Sequence, residues 1–169
     1  MIFIERQHLF TKPDAVIYHP GHFPELNNQI AVLYKAEGFK QLLIPSIYNG
    51  FLNANEYEYH KPILISQGIP NECIVPIIGE FRDGSDVVRG AIKQLDKSMS
   101  NVLLAGKAFF CRRFLILATI NDSEKKFDVL SLIDDRGIDK TNWHTTEKGK
   151  ERVFNEIKII NNILNGQEN

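Results

Sequence analysis

Three cations and one thiol lie close together between residues 106 and 114, in the stretch GKAFFCRRF. Lysine and arginine bind anions, and arginine can hold a phosphate or a carboxylate through two parallel hydrogen bonds. The stretch therefore predicts an anion site formed by Lys107 and Arg113. Arg112 is expected to face solvent or a partner, because adjacent helical residues point in different directions.

Each of these residues has an alternative structural role. Arg113 could form an ion pair that holds its helix in place, and Lys107 could be a solvated surface lysine. Cys111, beside arginines at a predicted helix start, could be a nucleophile if His22 acted as its base, or else a buried, inert thiol. Cys111 and Cys73 form no CxxC motif, which favours a reducing compartment without disulfides.

Two histidines, His19 and His22, flank Pro20 and Gly21 in the sequence HPGHF. Two imidazoles three residues apart can bind a metal ion, but only Glu25 is near enough in sequence to add a carboxylate. The pattern favours loop histidines that line a pocket, so we expect no metal site. A single glycine here also lacks the GxGxxG pattern of a dinucleotide site.

Two more groups of polar residues follow predicted strands. Ser46 and Asn49 lie in a polar turn where a ribose-like group could bind, and ordinary turn chemistry is the alternative. Asp83, Ser85 and Asp86 lie at a predicted helix start, where capping is the expected role. Contact with a ribose or an amine is the second interpretation of these three residues.

Regular elements must position these residues, and the chain alternates short apolar runs with segments of helical periodicity. The runs predict strands at 14–19, 41–46, 73–77, 101–106 and 126–132. Helices are predicted at 24–38, 56–68, 84–97, 109–120 and 146–164. Pro62 is expected to break the second helix or delay its start, and Pro76 to place the third strand at a sheet edge. The loop at 134–136 is expected to be solvated.

This alternation predicts an α/β fold, a three-layer α/β/α Rossmann-like sandwich with a mainly parallel five-stranded sheet. Right-handed crossovers leave few arrangements, and we expect the strand order 3-2-1-4-5. Ligands of open α/β sheets bind beyond the carboxyl ends of the strands at the switch point, here between the first and fourth strands. The loops 19–23 and 106–113 would meet there, which brings Gly21 and His22 close to Lys107.

Length and charge limit the function classes. The 169 residues fit one domain, with residues 1–13 as an extension before the first strand. Lysine and arginine number 20 and aspartate and glutamate 21, a balance that argues against nucleic-acid and membrane partners. No apolar run approaches the ~18 residues of a membrane span, and the start MIFIERQHLF does not resemble a signal peptide. We expect a cytoplasmic protein, and a homo-oligomer is compatible with the sequence.

The stretch NVLLAGKAFFCRRFLILA and the order of the strands resemble the YdcF-like family, which also contains SanA- and ElyC-type envelope proteins. The segments DAVIYHPG, LYKAEGFKQLLIPS, GIPNECIV and NWHTTEKGKERVFNEIKIINNIL are also similar, the last one to Gram-positive members. The resemblance runs from about residue 14 to 164. It implies a Rossmann-like domain with a polar pocket at the carboxyl edge of the sheet, and a nucleotide-like ligand such as S-adenosylmethionine or a role in envelope metabolism.

The chain departs from this family at several implied site positions. Phe110 stands where the family usually has a histidine, three residues before the retained Arg113. Of a serine-glycine-glycine turn only Ser46 is kept, and the turn at 83–86 has changed chemistry. Without that imidazole, general acid–base catalysis by this position is lost, so enzyme activity stays an open question.

Two functions remain, a domain that binds an anionic or nucleotide-like small molecule and a scaffold that has lost catalysis. A closed apolar plug around Phe110 would favour the scaffold. An open cleft with Arg113 at its wall would favour ligand binding.

Overall fold

The computed structural model describes residues 2–166. Its strands are β1 (Ala15–Tyr18), β2 (Gln41–Pro45), β3 (Tyr48–Asn49), β4 (Ala54–Asn55), β5 (Ile74–Ile77), β6 (Asn101–Lys107) and β7 (Lys126–Leu132). Its α-helices are α1 (Leu26–Glu37), α2 (Glu56–Ser66), α3 (Gly84–Gln94), α4 (Cys111–Asn121) and α5 (Glu147–Leu164). Single 3₁₀ turns lie at Asn71–Cys73 and Trp143–Thr145.

Five strands form one parallel sheet in the order β5-β2-β1-β6-β7. Counted in chain order within this sheet, the arrangement is the predicted 3-2-1-4-5. The structure differs from the prediction by a separate antiparallel hairpin, β3 and β4, inserted between β2 and α2. Strand β5 lies at an edge, as Pro76 indicated, since proline has no N–H for a ladder bond.

Alternating side chains of the strands pack on opposite faces of the sheet. In β1, Val16 and Tyr18 join the core that contains α1 and α2, whereas Ile17 joins the core that contains α3, α4 and α5. Because successive side chains of a strand point to opposite faces, each fully buried strand serves two cores. The result is the predicted three-layer α/β/α sandwich.

The second helix contradicts the expectation of a break at proline. Helix α2 begins at Glu56 and continues through Pro62 to Ser66. Asn55 caps its start by accepting a hydrogen bond from the Glu58 N–H at 3.4 Å. Pro62 lies on the exposed side of the helix, so water can bind the carbonyl that loses its helical hydrogen bond.

The segment before β1 lies against β7, the strand at the other edge of the sheet. The buried Asp128 carboxylate accepts hydrogen bonds from the Gln7 N–H at 2.9 Å and the Leu9 N–H at 3.2 Å. The Ser131 hydroxyl donates to the Ile4 carbonyl at 2.9 Å. Residues 4–9 thus cover this edge without forming a strand. In the part of the chain from 2 to 166, no helix is long and apolar enough to cross a membrane.

Candidate functional site

The carboxyl ends of β1 and β6 lie side by side, as the strand order predicts. Tyr18 pairs with Ala105, and the next residue, His19, donates its backbone N–H to the Ala105 carbonyl at 2.9 Å. Lys107 is the last residue of β6, so its side chain leaves the sheet beside the turn that contains Gly21. Gly21 has a φ of +61°, and a Cβ at that position would lie 3.1 Å from Lys107 Nζ.

The amine of Lys107 is a cation on a half-buried side chain. Its Nζ lies 4.9 Å from the centroid of the Phe23 ring, and it makes no hydrogen bond or ion pair with any residue from 2 to 166. Burial, assisted by the positive charge of Arg136, lowers the pKa of Lys107 to about 8, and Glu56 partly opposes this change. Most of the amine is therefore still charged at pH 7, without a direct counter-ion.

Glu56 is a carboxyl group that only half uses its hydrogen-bonding capacity. It is the first residue of α2 and is 5% exposed. Asn49 donates its Nδ2 proton to Glu56 Oε1 at 2.7 Å, whereas Oε2 is buried and has no partner among the described residues. Burial raises the pKa of Glu56. Because Glu56 lines a cleft, its carboxyl group can accept a hydrogen bond from a ligand hydroxyl or amine.

A cleft of about 500 Å³ opens between the Gly21 turn and the β3–β4 hairpin, and Glu56 and Asn49 line it. On its other side the His22 ring stacks on the ring of Phe51, with centroids 4.5 Å apart and planes at 29°. Burial and the positive charge of Lys107 lower the pKa of His22, so the ring is neutral at pH 7. The cleft thus combines a flat aromatic surface with polar oxygens.

A buried chain of hydrogen bonds fixes the Gly21 turn from below. The Tyr18 hydroxyl donates to Asn27 Oδ1 at 2.8 Å, and Asn27 Nδ2 lies 3.0 Å from His60 Nδ1. His60 Nε2 in turn lies 2.8 Å from the Gly21 carbonyl oxygen. Burial lowers the pKa of His60, so a neutral ring with its proton on Nε2 completes the chain. No motif in the sequence pointed to His60, because its partners are remote in sequence.

The loop after β7 also reaches this edge. The expectation that it is solvated holds for the exposed Asp135 and is wrong for Asp134 and Arg136. Asp134 is 6% exposed and binds the guanidinium of Arg136. Arg136 Cζ lies 4.4 Å from the centroid of the Phe23 ring, the ring that Lys107 also approaches. Because β7 is parallel to β6, its carboxyl end delivers this pair to the same side of the sheet.

Arg113 forms the ion pair that the sequence analysis gave as its alternative role. Its Nη2 donates to Glu156 Oε1 at 3.0 Å, and its Nε lies 2.9 Å from Glu156 Oε2. Both side chains are largely buried, and Glu156 belongs to α5. Arg113 does not line the cleft at His22.

Phe110 forms a closed apolar plug at the start of α4. Its ring is 6% exposed and packs against His19 and Phe114, with centroids 5.1 Å and 5.2 Å away. Arg113 Cζ lies 4.6 Å from the same ring. Burial lowers the pKa of His19 to about 3, so His19 is a neutral member of this packing.

Cys111 is an inert thiol in this environment. It is fully buried, and its Sγ lies 3.3 Å from the Gly106 carbonyl oxygen. Burial raises the pKa of Cys111 to about 11, in the direction opposite to the one that a nucleophile needs. His22, the proposed base, instead stacks on Phe51.

The remaining predicted site residues lie outside the cleft. Ser46 Oγ accepts a hydrogen bond from Asn55 at 3.2 Å, at the base of the hairpin. Asp83 caps α3, since its carboxylate accepts from the N–H groups of Ser85 at 2.7 Å and Asp86 at 3.0 Å. Arg82 and Arg89 pair with Asp86, and hydrogen bonds from Arg82 lower its pKa to about 2. Capping and ion pairing are therefore the observed roles of this group.

No protein-family model matches this chain, and no curated protein matches it significantly. The resemblance to the YdcF-like family therefore stays a prediction from the sequence.

Proposed function

We propose that this chain binds an anionic, nucleotide-like small molecule at the carboxyl edge of the sheet, between the Gly21 turn and the β3–β4 hairpin. The observation that carries the proposal is the amine of Lys107. It is half-buried and charged at pH 7, and no residue from 2 to 166 pairs with it directly. A half-buried cation without a counter-ion is less well solvated than an exposed one, so a ligand phosphate or carboxylate would be stabilised there.

The cleft at His22, whose lining includes neither Lys107 nor Gly21, supports the nucleotide-like part of the proposal. The stacked rings of His22 and Phe51 offer a planar surface, and Phe51 is 84% exposed, so a flat heterocycle could cover it. The carboxyl group of Glu56 lines the cleft and can accept a hydrogen bond from a sugar hydroxyl. Aromatic base, polar sugar and anionic group would then each have a matching partner.

The resemblance to the YdcF-like family agrees with this location, because it implies a polar pocket at the carboxyl edge. S-adenosylmethionine therefore belongs among the candidate ligands, with its ribose diol suited to Glu56 and its carboxylate to Lys107. We also propose a reducing compartment such as the cytoplasm, since Cys73 and Cys111 are both free thiols.

A specific observation favours a second candidate function, a scaffold without a ligand. Phe110 closes the region where the family usually has a histidine, and Arg113 is committed to Glu156. The plug removes the part of the edge near α4, and only the side around Lys107, His22 and Glu56 is left for a ligand. The scaffold function predicts that this remaining side binds nothing.

A thermal-shift experiment separates the two functions. The panel contains S-adenosylmethionine, adenosine nucleotides, sugar phosphates and inorganic phosphate, each tested on the wild type, Lys107→Met and Lys126→Met. Lys126 is an exposed lysine at the start of β7, at the opposite end of the strand from the site, and serves as the matched control. A ligand at ~100 times its dissociation constant adds about 2.7 kcal/mol, a shift of several degrees.

We expect a shift that persists in Lys126→Met and disappears in Lys107→Met. The wild type could unfold cooperatively with a melting temperature that no compound changes. That result would exclude the ligands tested and favour the scaffold. A shift that survives in Lys107→Met would place the ligand elsewhere on the protein.

A further inference from the structure

A second cleft lies on the opposite side of the molecule's core from α1 and α2, between α5, the start of α4 and the N-terminal segment. Its volume is about 800 Å³, and it shares no lining residue with the cleft at His22. Ile2, Phe3, Trp143, Val153 and Ile160 form its apolar walls. Pockets of about 300–1,000 Å³ with apolar walls and few polar groups are typical of small-molecule sites.

Two cations line this cleft, and the described residues that line it include no carboxylate. Lys140 is already paired, because its amine binds the carboxylate of Glu5 at the exposed rim. Arg112 has no hydrogen bond or ion pair with any residue from 2 to 166, and its Nε is buried without a partner. Arg112 is therefore a permanent positive charge beside an apolar cavity, with its hydrogen-bonding capacity unused.

This arrangement sets the chemistry of a suitable ligand. An apolar chain would remove the walls around Trp143 and Val153 from water, and an anionic head would pair with Arg112. A purely apolar ligand would leave the guanidinium of Arg112 unpaired. A small polar anion would leave the apolar walls in contact with water. Both features are satisfied by a molecule with one acyl or alkyl chain and one acidic group.

We propose that this cleft binds a monomeric single-chain amphiphile with a carboxylate head. Arg112 is the head-group contact, and the apolar walls that include Trp143 and Ile160 bind the chain. This site is independent of the one proposed at Lys107. The proposed ligand is the dissolved, monomeric amphiphile and not the surface of a lipid membrane.

Calorimetric titration with octanoate, decanoate and dodecanoate, each below its micelle concentration, tests the proposal. Affinity should rise about fourfold for each added methylene, the equivalent of ~0.8 kcal/mol. Trp143 is the only tryptophan of the chain, so a change in its emission during the same titration locates the ligand in this cleft. Decanol, which keeps the chain but lacks the charge, should bind at least tenfold more weakly than decanoate.

Two variants test the head-group contact. Arg112→Met should weaken decanoate binding at least tenfold and should leave decanol binding little changed. Lys158→Met, which removes an exposed cation of α5 outside the cleft, should bind like the wild type. The decanoate–decanol comparison needs only the wild type, so the proposal stays falsifiable even where Arg112→Met fails to fold.

Three results would overturn the proposal. The first is no heat and no change in Trp143 emission with any of the acids. The second is equal affinity for decanoate and decanol, and the third is binding to anionic phospholipid vesicles with none to the free acids. Loss of nucleotide binding in Lys107→Met has no bearing on these outcomes, because the two clefts share no lining residue.

Discussion

Lys107 approaches the chain at Gly21 closely enough that a side chain on Gly21 would touch its amine. The distance from Lys107 Nζ to an ideal Cβ on Gly21 is 3.1 Å, and the glycine φ of +61° is one that other residues adopt at a cost. A change in the Gly21 turn should therefore also move the end of the Lys107 side chain.

Gly21→Ala should lower the free energy of unfolding by about 1–2 kcal/mol, because alanine is strained at this φ. It should also displace the flexible end of Lys107 and so weaken any ligand bound there. Gly137→Ala is the matched control, since Gly137 has a φ of +62° and a Cβ placed on it would have no atom within 4 Å. Urea denaturation should give similar losses for both variants, with altered ligand stabilisation in Gly21→Ala alone. An equal loss of ligand stabilisation in Gly137→Ala would contradict the contact.

The lowered pKa of Lys107 predicts how stability depends on pH. The folded amine loses its proton near pH 8, whereas an exposed lysine does so near 10.5. Between these values the unfolded chain binds more protons, so the free energy of unfolding should rise with pH in the wild type relative to Lys107→Met. Taking the difference removes the opposite contribution of Cys111, which is the same in both proteins.

Urea denaturation of both proteins at intervals from pH 7 to 10 measures this difference. A difference that stays flat from pH 8 to 10 would show that the amine titrates as an exposed lysine. The anion site proposed at Lys107 would then lose its main support.

The pair between Arg113 and Glu156 should be costly to break on one side only. Arg113→Met leaves a buried carboxylate unpaired and should cost about 3–5 kcal/mol of stability, whereas Arg113→Met combined with Glu156→Met should cost less. Lys150→Met, which removes an exposed pair with Glu147, should change stability by less than about 1 kcal/mol. A double-mutant cycle by chemical denaturation gives the coupling energy, and additive losses would argue against a direct pair.

His60→Phe should remove the buried support of the Gly21 carbonyl. It leaves that oxygen and Asn27 with unmet hydrogen bonds, so we expect a loss of about 2–3 kcal/mol. The exposed His144 provides the control, because His144→Phe should stay within about 0.5 kcal/mol of the wild type. A neutral effect of His60→Phe in thermal and urea unfolding would mean that water replaces the ring nitrogen.

The sequence was enough to predict the sheet and the meeting of two of its loops. Strands such as β2 and β6 are continuous apolar runs between polar segments, and the rule for crossovers then gave their order. From that order alone, Gly21 and Lys107 had to lie at the same edge. The cap at Asp83 was predictable for a different reason, because capping depends on local residue types and their spacing.

Residues whose roles depend on distant partners could not be found in this way. Arg113 and Glu156 are 43 positions apart, and no local pattern connects them. Glu56 became part of the site through the β3–β4 hairpin, whose two-residue strands are too short for a periodic signal. Pro62 misled the prediction of α2, because its effect depends on whether its side of the helix is exposed.

The segment at residues 4–9 has a consequence for how this chain meets its own copies. An open edge strand is a template for another strand, and it is the usual starting point for domain swapping and fibril growth. In this chain Asp128 and Ser131 hold residues 4–9 against one edge strand, and Pro76 interrupts the donors of the other. Growth of the sheet from one molecule into the next must therefore first detach the N-terminal segment.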